Sequence, residues 1–156
     1  MIKLIDLLEN KILVTRRSPE ERSKNFLIAT QKKIQQYIKD GSKGDLDLRN
    51  TPITSLPQDL KVGGNLYLYN TKITSLPQGL TVGGDLNLMG TKITSLPQGL
   101  KVGGNLNLYN TKITSLPQDL IVGGNLDLEK TPISKKYSEE QIKQMVPGVK
   151  GEILYL

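Results

Sequence analysis

From Gly44 onward the apolar residues recur on a twenty-residue grid. GDLDLRNTPITSLPQDLKVG is followed by GNLYLYNTKITSLPQGLTVG, GDLNLMGTKITSLPQGLKVG and GNLNLYNTKITSLPQDLIVG, with a broken fifth copy from Gly124. In the second copy the apolar positions are Leu66, Leu68, Ile73, Leu76, Leu80 and Val82. Leu66 and Leu68 are two residues apart, so on an extended strand both point to one side. Asn65, Tyr67 and Tyr69 then face the other way. Pro77 excludes a helix interior and suits a bend, and Gly83-Gly84 reads as the permissive backbone of the turn into the next strand. One copy is too short to enclose a core and leaves no room for a helix of ordinary length. Successive copies must therefore stack, which predicts a mainly β repeat solenoid over 44–134 with one parallel strand per coil. The strands should pair in register, because a slip of one residue would turn the leucines outward.

The flanks carry helix signals instead. Ser18-Pro19-Glu20-Glu21 combines an N-cap serine, proline at the first helical position and glutamate three residues on. A helix is expected from there through FLIATQKKIQQYIKD to Gly41, with Leu27, Ile34 and Ile38 as its apolar stripe. Residues 1–43 thus read as a helical, basic N-terminal cap or docking segment. After Thr131-Pro132-Ile133 the repeat wording fails: Lys135-Lys136-Tyr137 stands where Ser-Leu-Pro belongs. Residues 135–156 read as a C-terminal cap, with a short helix opened by Ser138 and closed by Pro147. Val149-Lys150-Gly151-Glu152-Ile153 echoes each earlier coil boundary, so Ile153–Leu156 is expected to add a sixth strand. Leu154 would then point outward at a sheet edge, which leaves association with a second copy open.

Within each coil Leu66, Leu68, Ile73, Leu76 and Pro77, with their equivalents in the other copies, resemble the bacterial type of leucine-rich repeat, L-x-L-x-x-N-x-L-x-x-L-P. The wording L-P-Q-x-L-x-V-G-G-x-L-x-L is also similar to repeats of bacterial and bacteriophage proteins. The resemblance covers about 44–134 and implies a leucine-rich-repeat-like solenoid that acts as an interaction scaffold. If the chain is phage-encoded, it implies an inhibitor of a host factor or a component of the virion. Two positions depart from the pattern. Thr51, Thr71, Thr91, Thr111 and Thr131 hold the asparagine place, and glycine replaces a leucine before the strand. Threonine hydroxyls are expected to satisfy the turn backbone instead of asparagine amides, within either a horseshoe or a tighter β-solenoid.

Composition narrows the chemistry. Among 156 residues there is neither cysteine nor histidine, which removes disulfides, Cys-ligated zinc, the commonest metal ligand and the commonest general base. Serine and threonine are abundant but have no histidine to activate them, and no phosphate-loop motif is present. No catalytic constellation, metal site or cofactor is therefore expected, and the chain is read as a non-enzyme. Asp6 and Glu9 interrupt the opening apolar stretch and no signal-peptide cleavage site follows. A cytoplasmic location is expected, in an infected host cell or a virion if the chain is phage-encoded.

Two surfaces qualify for partners. Outward positions form three columns: Asp45, Asn65, Asp85, Asn105, Asn125; then Asp47, Tyr67, Asn87, Asn107, Asp127; then Arg49, Tyr69, Met89, Tyr109, Glu129. Tyr67, Tyr69, Met89 and Tyr109, bordered by Arg49 and Glu129, supply aromatic and methionine anchors in a polar surround, as a protein-binding face requires. β-Propensity alone also favours exposed tyrosine. The Asp/Asn columns offer oxygen ligands of the kind calcium takes, but without a calcium nonapeptide they read as polar ladders. The second surface is the leader. Of the formal charge of +6, residues 1–43 hold ten Lys/Arg against five Asp/Glu, and residues 44–156 hold eleven against ten. Arg16, Arg17, Arg22, Lys24, Lys32 and Lys33 are thus the candidate nucleic-acid contacts, the alternative being a solvated helix face. Another protein is the expected partner, nucleic acid the second, and a membrane is not expected.

Overall fold

A computed structural model describes residues 18–155. The opening apolar segment, Arg16, Arg17 and Leu156 lie outside the described residues. The fold is a parallel β-solenoid of twenty-residue coils, preceded by helix α1 (Pro19–Lys39). Its main sheet has six strands in spatial order β1 (Leu46–Asp47), β3 (Leu66–Tyr67), β5 (Leu86–Asn87), β7 (Leu106–Asn107), β9 (Leu126–Asp127) and β10 (Ile153–Leu154). Leu46 faces Leu66, Leu66 faces Leu86, and so on to Ile153 against Leu126, all in parallel register. Every leucine of the Leu-x-Leu pairs from Leu46 to Leu128 is at most 1% exposed. Register is held because any slip would expose this column.

A second sheet supplements the first. It consists of β2 (Lys61–Val62), β4 (Thr81–Val82), β6 (Lys101–Val102) and β8 (Ile121–Val122), again parallel and in register. Hydrogen bonding continues through the glycine pairs between the two sheets. Gly83 N–H donates to Val62 C=O at 2.7 Å and Gly84 N–H to Gly64 C=O at 2.9 Å, with the same bonds one coil on from Gly103 and Gly104. None of these paired glycines has a positive φ. Their role is therefore close approach and not the turn freedom read from the sequence. A Cβ on Gly103 would overlap the Gly83 carbonyl oxygen and lie 3.0 Å from its carbonyl carbon.

Left-handed backbone falls elsewhere in the coil. Asn50, Asn70, Gly90, Asn110 and Lys130 have φ between 54° and 69°, at the third position of the turn that ends each main-sheet strand. Thr71 N–H closes that turn on Leu68 C=O at 3.2 Å, and the other coils repeat the bond. Positive φ at this position suits glycine and asparagine. The following threonine satisfies the same carbonyl as expected: the hydroxyls of Thr51, Thr71, Thr91, Thr111 and Thr131 donate to the carbonyls of Leu48, Leu68, Leu88, Leu108 and Leu128 at 2.6–2.8 Å. Thr91→Val keeps the volume but removes one such bond. Since Leu88 C=O keeps the Thr91 N–H, the expected loss in urea unfolding is about 0.5–1.5 kcal/mol.

Helix α1 starts at the expected capping box: Glu21 N–H donates to Ser18 Oγ and Ser18 N–H to the Glu21 carboxylate. It buries Thr30 and Ile34 against the first coil, beside Ile53 and Leu56. Ile38 is 38% exposed and does not belong to the buried stripe. Tyr37 takes its place, because its hydroxyl donates toward the Ser42 and Gly44 carbonyls and accepts from Gly63 N–H at 3.2 Å. That anchor fixes the rotation of the helix and turns the neighbouring Ile38 outward.

At the far end α2 (Pro132–Lys136) forms where the repeat wording breaks, capped by Thr131. Helix α3 (Glu139–Met145) follows with the Ser138–Gln141 capping box, and Ile142 and Val146 close the core. Val149 then bridges to Val122 and β10 pairs with β9. Leu154 is 39% exposed on this last strand, as its register requires. No helix among the described residues is long and apolar enough to cross a membrane.

Candidate binding surfaces

The three outward columns do different work. In the first, each side chain braces the next coil: Asp45 Oδ1 accepts from Asn65 N–H, Asn65 from Asp85, Asp85 from Asn105, Asn105 from Asn125 and Asn125 from Glu152, at 2.6–2.9 Å. An oxygen aimed at backbone N–H along the stack is a structural brace. Among the described residues no group of three or more Asp and Glu is placed to hold a metal ion. The second column ends the strands. Asp47, Asn87, Asn107 and Asp127 accept through Oδ1 from the N–H two residues on, at 2.9–3.0 Å, which is an Asx turn. Tyr67 breaks the series and instead accepts from the Asn65 amide at 3.0 Å.

The third column, like Tyr67 of the second, is left with side chains outside the scaffold's own backbone bonding. It sits on the turn itself, one residue before the left-handed position. Gly90 N–H donates to Tyr109 C=O at 2.9 Å and Asn110 N–H to Glu129 C=O at 3.0 Å, so these residues stack from coil to coil. Tyr69 is 39% exposed, while Met89 and Tyr109 are half-buried. Tyr67, Tyr69, Met89 and Tyr109 thus occupy neighbouring coils on one face.

A cation lies over a tyrosine ring at each end of this patch. The Arg49 guanidinium donates twice to the Asp47 carboxylate, at 2.9 and 2.7 Å, and lies 5.3 Å from the Tyr67 ring centre. These hydrogen bonds from Arg49 hold the Asp47 carboxyl below its ordinary range. At the other end Lys130 lies 4.8 Å from the Tyr109 ring centre and donates to its hydroxyl. The Tyr109 hydroxyl raises the Lys130 ammonium above its usual pKa, and Glu129 adds to the effect. Lys130 adopts φ 56°, a conformation that costs a β-carbon-bearing residue about 1–2 kcal/mol.

Among the described residues the cations of the basic leader do not form a single patch. Arg22, Phe26, Thr30 and Lys33 share the helix face turned toward the first coil's edge. Lys33 is used in docking, donating to the Asp47 carbonyl. Lys24 and Lys32 are exposed. Arg22 comes instead beside Lys72 and Lys92 of the array, in a groove also lined by Phe26, Pro52, Asn70 and Gly90. These two lysines carried no functional assignment from the sequence, although their recurrence at one place in successive copies was visible.

Comparisons with protein-family models, curated proteins and solved structures give no match.

Proposed function

We propose that this chain is a non-catalytic binding module that recognises another protein through the outward face centred on Tyr69, Met89 and Tyr109. The supporting observation is a division of labour among the columns. The Asp and Asn of the first two columns are engaged in bonds that hold the coils, whereas aromatic and methionine side chains stand on the third. Arg49, Asp47, Glu129 and Lys130 surround them as a polar rim, the composition that protein interfaces favour. Kinship with leucine-rich repeats of the bacterial or bacteriophage type belongs to this proposal and rests on the inward Leu-x-Leu pairs and the Leu-Pro wording of each coil. So do a cytoplasmic setting and a role as a host-factor inhibitor or virion component.

Full-length chain carrying Tyr69→Ala and Tyr109→Ala together should lose affinity for its captured partner by roughly thirty-fold or more, the scale of a hot-spot pair. Thermal unfolding should stay close to that of the parent, because neither side chain is part of the buried core. Undiminished capture by a folded double variant would remove the sheet face from consideration.

A further inference from the structure

We infer that the groove between α1 and the turn edge of the solenoid binds single-stranded nucleic acid, on a surface separate from the tyrosine column. Its cations come from two parts of the chain that differ in charge balance. Arg22 projects from α1, while Lys72 and Lys92 project from equivalent places in adjacent coils. Lys112 continues the column one coil further and is exposed. Parallel ladder pairing spaces these backbones about 4.8 Å apart. Pro52 and Pro132 occupy the equivalent places before and after the three lysines.

No Asp or Glu lines the groove. Among the described residues the ion pairs are Arg49–Asp47 and Lys143–Glu139, so Arg22, Lys72, Lys92 and Lys112 have no carboxylate partner there. Stacking like charges at successive coils opposes folding, and an anionic strand laid along the column would relieve that repulsion.

An aromatic side chain completes the surface. Phe26 is 49% exposed in the same groove, which Pro52 also lines, so about half of its surface is open to a base. Cations that follow a phosphate backbone next to an aromatic platform for bases are the recurring parts of single-strand recognition. An acidic peptide would satisfy the lysines but offers a ring-sized partner for Phe26 only in particular sequences. Every nucleotide carries both groups. Lysines present point charges without a fixed bidentate geometry, so the groove should bind with little base preference.

The test is fluorescence anisotropy of the full-length chain with a labelled oligothymidylate of about twelve nucleotides. Contacts from Arg22, Lys72, Lys92 and Lys112 predict a salt slope of about −2.8, so affinity should fall roughly fifty-fold between about 50 and 200 mM salt. Lys72→Gln with Lys92→Gln should cut binding and reduce the slope to about −1.4. Lys61→Gln with Lys101→Gln removes the same charge from the second sheet and should leave binding unchanged. Phe26→Ala should weaken binding by roughly five-fold or more, the scale of one lost base stack. Tyr69→Ala with Tyr109→Ala should not affect it, which separates this groove from the proposed protein-binding face. Equal losses from both lysine pairs, a flat salt response, or a Glu-rich peptide competing as well as the oligonucleotide would each overturn the assignment.

Discussion

Gly103→Ala is expected to destabilise the chain by about 3 kcal/mol or more, at the upper end of overpacking effects. The added methyl would overlap the Gly83 carbonyl oxygen and crowd its carbonyl carbon and Cα at 3.0 and 3.5 Å. All three are backbone atoms, so no side chain can rotate away. Relief requires parting two coils, which breaks the bonds from Gly103 to Val82 and from Gly104 to Gly84. In a solenoid each coil is stabilised by its neighbours, so parting one interface weakens both halves. The melting temperature should drop by about 6–12 °C. Gly90→Asn is the contrasting change. A Cβ there meets nothing within 4 Å, and asparagine already adopts this backbone at Asn50, Asn70 and Asn110. It should melt close to the parent. Equal tolerance at both positions would refute close approach as the reason for the glycine pairs.

Leu86→Ala should cost about 2–5 kcal/mol in urea unfolding. Leu86 is fully buried in the middle of the main sheet, paired with Leu66 and Leu106 on either side. Tight stacking on both sides restricts relaxation into the vacated space, which places the loss in the upper half of that range. Leu154→Ala removes the same atoms from the edge strand, where the side chain is 39% exposed, and should cost less than about 1 kcal/mol. A silent Leu86→Ala would contradict the inward assignment of the Leu-x-Leu pairs.

Much of the architecture was legible because it is periodic. Leu66 and Leu68 two apart, a proline bend and a twenty-residue return permit little except stacked parallel strands. The helix caps at Ser18 and Ser138 were equally readable, since a capping box acts over three residues. The second sheet was not, because Lys61–Val62 and its equivalents carry one inward apolar residue each, too short a run to mark a strand. Helix α2 was also missed: its start depends on Thr131 acting as an N-cap that accepts from Ser134 N–H while keeping the same bond back to the turn as the earlier threonines. Tyr37 replaced Ile38 in the buried stripe because a long-range hydrogen bond set the helix rotation, which helical spacing alone does not specify.

The candidate surfaces divide along the same line. The outward columns could be written down from the repeat, including the tyrosine and methionine positions. Which columns are engaged by the scaffold was hidden, because an Asp or Asn side chain looks the same whether solvated or accepting from the next coil. The basic groove was hidden further, as Arg22 and Lys92 are seventy positions apart and meet only through the docking of α1.

By itself the sequence determined the repeat unit, the inward leucines, the parallel register and the threonine-closed turns, all of which follow from interactions within one coil or between identical neighbours. Tertiary structure alone decided the rotation of α1, the reason for each glycine pair, the bracing role of the Asp and Asn ladder, and the meeting of leader and array cations. Those depend on distances between atoms far apart in the chain. A period specifies how like coils stack, but it carries no information about how an unlike segment packs against them.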